Sequence, residues 1–250
     1  MDKKVVLITG GGKGIGYGVA RAFAKENYNI VITGRTEKTL EKAKKELEEE
    51  FKIEVLPVVA DGGLENDVKN VINQVKEKFK RLDCLINNAQ ASKSGLMIEE
   101  HTKEDFDLAI FSGLYGTFFY MKESLPLLKE SKGSIINFAS GAGLAGRVGQ
   151  SSYAASKEGI RGLSRVAANE WGKYDINVNV VCPLVMTEQL KKWKEEYPEA
   201  YKQNVQSIPM GRFGDAELEI GATCVFLASP GAKYISGETI TIQGGSGLRP

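Results

Sequence analysis

Tyr153 and Lys157 stand four residues apart in Ser151-Ser152-Tyr153-Ala154-Ala155-Ser156-Lys157, and Ser140 lies upstream at the end of an apolar run. Positions i and i+4 of a helix share a face, which sets a phenol beside an ammonium. A cation about 4 Å from a tyrosinate is worth about 4 kcal/mol at an effective dielectric near 20. At about 1.4 kcal/mol per unit, that lowers a phenol pKa near 10 by up to about three units. A tyrosine so placed exchanges protons near neutral pH. The same spacing also arises on ordinary surface helices, so the rest of the chain must decide.

The elements that would position these groups alternate. Short apolar runs at 4–9, 29–33, 54–59, 84–87, 134–138, 177–181 and 239–242 read as strands, several of them continuously apolar as buried parallel strands are. Helical patterns fall between them at 14–26, 37–51, 65–79, 103–128, 151–171 and 216–227. This alternation predicts an α/β fold: one Rossmann-type, doubly wound parallel sheet of about seven strands, with helices on both faces. No linker, low-complexity segment or internal repeat interrupts residues 1–250, so a single domain is expected. The formal net charge is +1 and no basic block calls for nucleic acid or an anionic membrane. Cys84, Cys182 and Cys224 sit in apolar surroundings, as reduced packed thiols do. One histidine, His101, and no cysteine cluster argue against zinc. No run approaches the roughly 20 apolar residues that span a bilayer. A soluble, cytoplasmic protein is expected.

The first strand candidate runs into Gly10-Gly11-Gly12-Lys13-Gly14-Ile15-Gly16 and then a helix. A glycine-rich turn there lets backbone amides approach a pyrophosphate at the helix N-terminus. The spacing, Gly10-x-x-x-Gly14-x-Gly16, differs from the stricter dinucleotide fingerprint. The second strand ends in Thr33-Gly34-Arg35, where an acid would bond the adenosine ribose of NAD. Arg35 stands there instead, and Lys13 lies in the turn nearby. Two cations in place of a carboxylate favour the 2′-phosphate of NADP. Asp61 follows the third strand, placed to meet an adenine. Asn87-Asn88-Ala89 ends the fourth, at the carboxyl edge where open α/β sheets bind ligands.

Taken together, Thr9-Gly10-x-x-x-Gly14-Ile15-Gly16, Asp61, Asn87-Asn88-Ala89, Ser140, Tyr153-x-x-x-Lys157 and Asn179-x-x-x-Pro183 resemble the short-chain dehydrogenase/reductase family, from Val5 to Gly245. The resemblance implies Tyr153 as general acid/base, Lys157 as the group that lowers its pKa and bonds the nicotinamide ribose, and Ser140 as the holder of the substrate oxygen. It implies that the stretch after Pro183 walls the nicotinamide site and leads into a lid over roughly 186–212. The cofactor set is then Gly10, Gly12, Lys13, Gly14, Ile15, Gly16, Arg35, Asp61, Asn88, Tyr153, Lys157 and Thr187, binding NADP(H).

Four positions depart from that family's usual pattern. Gln90 stands where a glycine is usual after Asn-Asn-Ala, and Leu184 where a glycine is usual after Pro183. Thr187 comes one position early. Gly113 stands where many members carry an active-site Asn that supports a proton relay, which leaves a water or Ser112 as a substitute. These departures, with Ser140-Gly141-Ala142-Gly143-Leu144, Gly149-Gln150, Pro209-Met210-Gly211-Arg212-Phe213-Gly214 and the terminal Arg249-Pro250, are similar to the bacterial NADP-dependent 12α-hydroxysteroid dehydrogenase subgroup. That implies a steroid or bile-acid substrate, with Gln90, Leu144, Gln150, Leu184 and Trp193 as contacts. Bottom-up, Leu144, Leu184, Val185, Met186, Trp193 and Tyr197 supply apolar surface suited to a flat apolar ligand. Trp193 and Tyr197 equally suit packing of a lid helix onto the body. Lys191, Lys192 and Lys194 could draw in a carboxylate, or form a solvated helix face.

Three other readings stay open: a 3-oxoacyl thioester reductase, a sugar or polyol dehydrogenase, and an NADP-binding protein without turnover. Helices over 103–128 and 151–171 carry more apolar residues than one sheet face needs, and family members commonly pair these helices, so a homotetramer is expected by resemblance.

Overall fold

The computed structural model describes residues 3–247, the Gln189 side chain excepted; Arg249 and Pro250 lie outside the described residues. Seven strands form one sheet: β1 Val5–Thr9, β2 Asn29–Gly34, β3 Val55–Val59, β4 Cys84–Asn87, β5 Ser134–Phe138, β6 Asn177–Pro183 and β7 Thr239–Ile242. Their order is β3-β2-β1-β4-β5-β6-β7, and every pairing is parallel. Among the described residues the α-helices are α1 Gly14–Lys25, α2 Glu37–Phe51, α3 Glu65–Phe79, α4 Lys103–Ala109, α5 Gly116–Ser131, α6 Gly141–Ala145, α7 Ser151–Trp171, α8 Glu188–Glu196, α9 Pro198–Gln206 and α10 Ala222–Leu227.

Alternation along β1 divides the core between the two faces of the sheet. Val6 and Ile8 pack with Phe23 of α1, Leu40 and Leu47 of α2 and Leu227 of α10. Val5 and Leu7 pack with Val68 and Val75 of α3, Leu128 of α5 and Ala167 of α7. These side chains are buried on both sides, which explains why the strands read as unbroken apolar runs.

Two expected helices differ in the structure. The pattern over 103–128 divides into α4, a π turn at Ile110–Tyr115, and α5. That over 216–227 opens as a π turn, Ala216–Gly221, before α10. A π turn shifts the hydrogen bond by one residue and marks many functional sites. The first one lies against α7, with Leu114 packed where a Cβ on Gly159 would stand.

The carboxyl ends of β1 and β4 lie side by side, with Ile8 opposite Ile86. Strand order reverses here, β2 following on one side and β5 on the other, and a crevice opens beyond the strand ends.

Candidate active site

Three residues meet beyond β5 and β6. Ser140 follows β5 and caps α6, its Oγ accepting from the Ala142 amide at 3.1 Å. Tyr153 lies in the first turn of α7 and shares a hydrogen bond with the Ser140 side chain. Lys157, one turn on, is 3 % exposed; its Nζ donates to the Phe138 carbonyl at 2.8 Å and lies 5.7 Å from the Tyr153 ring centroid. The buried face of α7 holds Ser152, Ser156, Ile160, Ser164 and Ala167, small groups for the most part, which lets the helix approach the sheet closely.

The electrostatics correct one expectation. The Tyr153 phenol is raised above its ordinary value, because burial outweighs the opposing Ser140 hydrogen bond. The ammonium of Lys157 is turned to a backbone carbonyl, and burial brings its own pKa down to about 8. With the ammonium bonded to that carbonyl and the phenol buried, the expected drop of several units is not seen, and the Tyr153 phenol stands above its ordinary value.

The nucleotide residues gather at the β1–β4 crevice, a cleft of about 500 Å³ lined by Gly10, Lys13, Gly14, Ile15, Arg35, Asp61, Asn88 and Thr187, among others. Gly12 and Gly16 support that lining from behind. A Cβ on Gly16 would overlap the Gly10 carbonyl oxygen and stand 2.7 Å from Asn88 Nδ2, while Gly10 itself has φ +68. The turn is pinned across the crevice: Thr9 Oγ1 accepts from the amides of Asn88 (2.9 Å) and Ala89 (3.0 Å), and Asn88 Nδ2 donates to the Thr9 carbonyl at 3.0 Å. This cradle, which a side chain at Gly16 would fill, fits a dinucleotide backbone, and Lys13 and Arg35 are exposed at its rim. Asp61 Oδ1 accepts from the Gly63 amide at 2.9 Å, which fixes the turn after β3. Thr187 caps α8 through Leu190 at 3.2 Å.

The residues expected to meet the substrate are spread around this centre. Gln90 lines the cleft, but its amide is turned inward, to the Ala91 and Ala109 carbonyls and to Ser156. Leu144 packs on Ala139, Val180 and Cys182. Gln150 precedes α7 and bridges to Leu96. Leu184 is tied by its amide to Ile242 and by its carbonyl to Gly214. Trp193 of α8 lies edge-on to Tyr201 of α9, with centroids 6.1 Å apart, and Tyr201 reaches Phe213 at 5.9 Å. This aromatic line ties α8 and α9 to the body. Lys191 pairs with Glu188, and Lys194 lies over the Tyr201 ring.

Ser112, weighed as a stand-in for a helix Asn, is engaged elsewhere: its Oγ accepts from the Ala91 amide and lies 2.6 Å from the Leu108 carbonyl. Sequence reasoning missed Phe138, Ala109 and Ser156. The first two act through backbone carbonyls, which no side-chain pattern marks. Ser156 was visible only as a spacer between Tyr153 and Lys157.

The comparisons agree with this architecture. The family model described as "Enoyl-(Acyl carrier protein) reductase" matches residues 10–247, and the chain belongs to the short-chain dehydrogenase/reductase family of oxidoreductases. Within it, a 12alpha-hydroxysteroid dehydrogenase of Clostridium sp. is 60% identical over 255 residues, covering 100% of this chain and 98% of the relative. A 3-oxoacyl-(acyl-carrier-protein) reductase of Thermotoga maritima is 34% identical, covering 98% of each. Among solved structures, levodione reductase superposes with a TM-score of 0.92 at 33% identity over 99% of both chains.

Proposed function

We propose that the protein is an NADP(H)-dependent hydroxysteroid dehydrogenase that interconverts the 12α-hydroxyl and 12-oxo groups of bile acids. The observation that carries the substrate class is the 60% identity, over the whole chain, to a 12alpha-hydroxysteroid dehydrogenase, against 34% to an oxoacyl reductase. The catalytic reading is supported by Ser140, which follows β5, and by Tyr153 and Lys157, one turn apart on α7, lying beyond the same carboxyl edge of the parallel sheet as the glycine turn after β1.

The Gly10–Gly16 turn would hold the pyrophosphate, Lys13 and Arg35 the 2′-phosphate, Asp61 the adenine, and Lys157 the nicotinamide ribose, with Asn88 and Thr187 bounding the cleft. When bound, the nicotinamide supplies the hydride acceptor for the alcohol and the hydride donor for the ketone. Tyr153 Oη takes the proton from the substrate hydroxyl in oxidation and returns it to the forming alkoxide in reduction. Ser140 Oγ donates to that oxygen and orients it, and it steadies Tyr153 by the hydrogen bond the two share. Leu184 and Met186, just before the cleft-lining Thr187, would supply apolar surface for the ring system.

The test mixes the protein with NADP and cholate or deoxycholate, and follows the reduced nicotinamide by absorbance. Turnover is expected with both. No turnover with either, together with NADPH-dependent reduction of an acetoacetyl thioester, would overturn the substrate assignment.

Two further points belong to the same reading. Phe106, Phe111, Tyr115 and Phe118 are exposed along α4, the π turn and α5, and Phe111 stacks on Tyr115 at 5.1 Å. An apolar face of this kind supports a homotetramer paired through these helices. Cys84, Cys182 and Cys224 are buried and form no disulfide among the described residues, and no helix among the described residues is long and apolar enough to cross a membrane; we place the activity in the cytoplasm.

A further inference from the structure

Two departures that are separate in sequence meet in space. Gln90, in the turn after β4, donates through Nε2 to the carbonyls of Ala91 and Ala109, each at 3.1 Å, and its Oε1 accepts from Ser156 Oγ at 3.3 Å. Gly113 lies opposite, buried in the π turn. A Cβ there would overlap both Gln90 Oε1 and Ser156 Oγ and lie 2.7 Å from Gln90 Cδ. The carboxamide therefore fills the volume that any side chain at 113 would need. It does so while bonded on three sides, so it cannot simply swing away. Ser112 closes the same seam from the other side through Ala91 and Leu108.

Ser156 directly precedes Lys157 on α7. One hydroxyl thus separates the Gln90 amide from the turn that carries the ammonium. The Ala109 carbonyl stands at the entrance to the π turn, so the same amide holds the helix break and α7 together.

We propose that Gln90 and Gly113 are coupled, the amide from the turn at 90 occupying the space that a side chain on the helix at 113 would need, which makes Gln90 the positioning residue that fixes the π turn against the helix bearing Tyr153 and Lys157. The proposal rests on the catalytic reading of those two residues. A glycine at 90 and a glycine at 113 together would leave the seam empty, and a side chain at both would overfill it.

The test compares the full-length protein with Gln90→Gly, Gly113→Asn, the double variant and Gln90→Glu. Each is measured by thermal unfolding without cofactor, by NADPH titration, and by the pH profile of kcat in hydroxysteroid oxidation. Gly113→Asn is expected to unfold about 3–8 °C lower from overpacking and to lose about 10- to 100-fold in kcat from misplacement. Gln90→Gly loses kcat with a smaller thermal change. Gln90→Glu keeps the size but faces two carbonyls with a carboxylate, and is expected to lose kcat and shift the alkaline limb. The double variant recovers most of both losses, because it removes the overlap and restores one amide. Losses that add in the double variant would overturn the proposal, as would a folded Gly113→Asn protein with unchanged kcat and pH profile. Tyr153→Phe serves as the separate control: if it stays active, the catalytic reading fails, while the thermal coupling between 90 and 113 is still read independently.

Discussion

Lys157 Nζ donates to the Phe138 carbonyl at 2.8 Å, and this bond, rather than one to Tyr153, is what anchors the buried ammonium. Phe138 ends β5, two residues before Ser140, so one strand end sets both the lysine and the serine. The charge is held at a cost: burial lowers its pKa from 10.5 to about 8.

The sign of the resulting pH dependence follows from that shift. Below about pH 8 the lysine is protonated in both folded and unfolded chains. Between about 8 and 10.5 the unfolded chain holds a proton that the folded chain has shed. Stability contributed by this group therefore rises with pH through that window, by about 3 kcal/mol at its upper end. Lys157→Met removes the buried charge and leaves the Phe138 carbonyl without this donor, which costs about 1 kcal/mol. The variant is expected to be inactive yet to melt a few degrees higher at pH 7, with the difference shrinking toward pH 10. Calorimetry over that range checks it; a lower melting temperature at pH 7 counts against the account.

Tyr153 gives a kinetic prediction of opposite character. Its phenol is raised by burial, so the deprotonated base is scarce at neutral pH. Oxidation of the alcohol is expected to accelerate about tenfold per pH unit between about pH 6 and pH 8, while ketone reduction, which uses the protonated phenol, stays level over the same span. Initial rates in both directions decide the matter, and a flat oxidation profile would sink it. Tyr153→Phe should lower kcat at least about 100-fold, within the usual worth of a positioned acid–base group.

On the proposed reading, Arg35 carries the coenzyme choice. A charge-assisted bond to a phosphate contributes about 1.5–3 kcal/mol, so Arg35→Ser should weaken NADPH binding about 10- to 100-fold while changing NADH binding far less. Fluorescence titration with the two coenzymes measures the ratio. Equal losses for both would show that Arg35 shapes the turn instead of reading the phosphate.

Gly16 tests the cradle itself. Adding one methyl group in Gly16→Ala sets a carbon against the Gly10 carbonyl oxygen and Asn88 Nδ2. Overpacking of this kind costs about 1–3 kcal/mol. Both the melting temperature and NADPH affinity should fall, and a variant that keeps wild-type values in the two assays would show that the turn can widen.

Much of this was legible in the sequence for a physical reason. Parallel strands buried on both faces, such as Val5–Thr9 and Ser134–Phe138, carry apolar residues without interruption, and the boundaries found differ little from those expected. The π turn at Ile110–Tyr115 was not legible, because moving one hydrogen bond changes no residue type. α6 is a single turn of Gly, Ala and Leu, and α9 opens on Pro198, so neither shows a long amphipathic face. At the site, the glycine turn announced itself by composition. The inward set of the Gln90 amide did not, since its polar partners are two backbone carbonyls and a serine hydroxyl. Gln90 and Gly113 were each conspicuous; only the fold joins them.

The Thr9 hydroxyl, taking two amides from the turn after β4, makes the coenzyme end and the Gln90 turn one rigid jig. The α8–α9 flap, by contrast, is held to the body by the aromatic line through Trp193, Tyr201 and Phe213 and by the Val185–Gly214 bridge. The residues proposed to handle the proton and those of this flap thus lie on separate segments of the chain. On the proposed reading, a change of substrate could be made in the flap without retuning the groups that handle the proton.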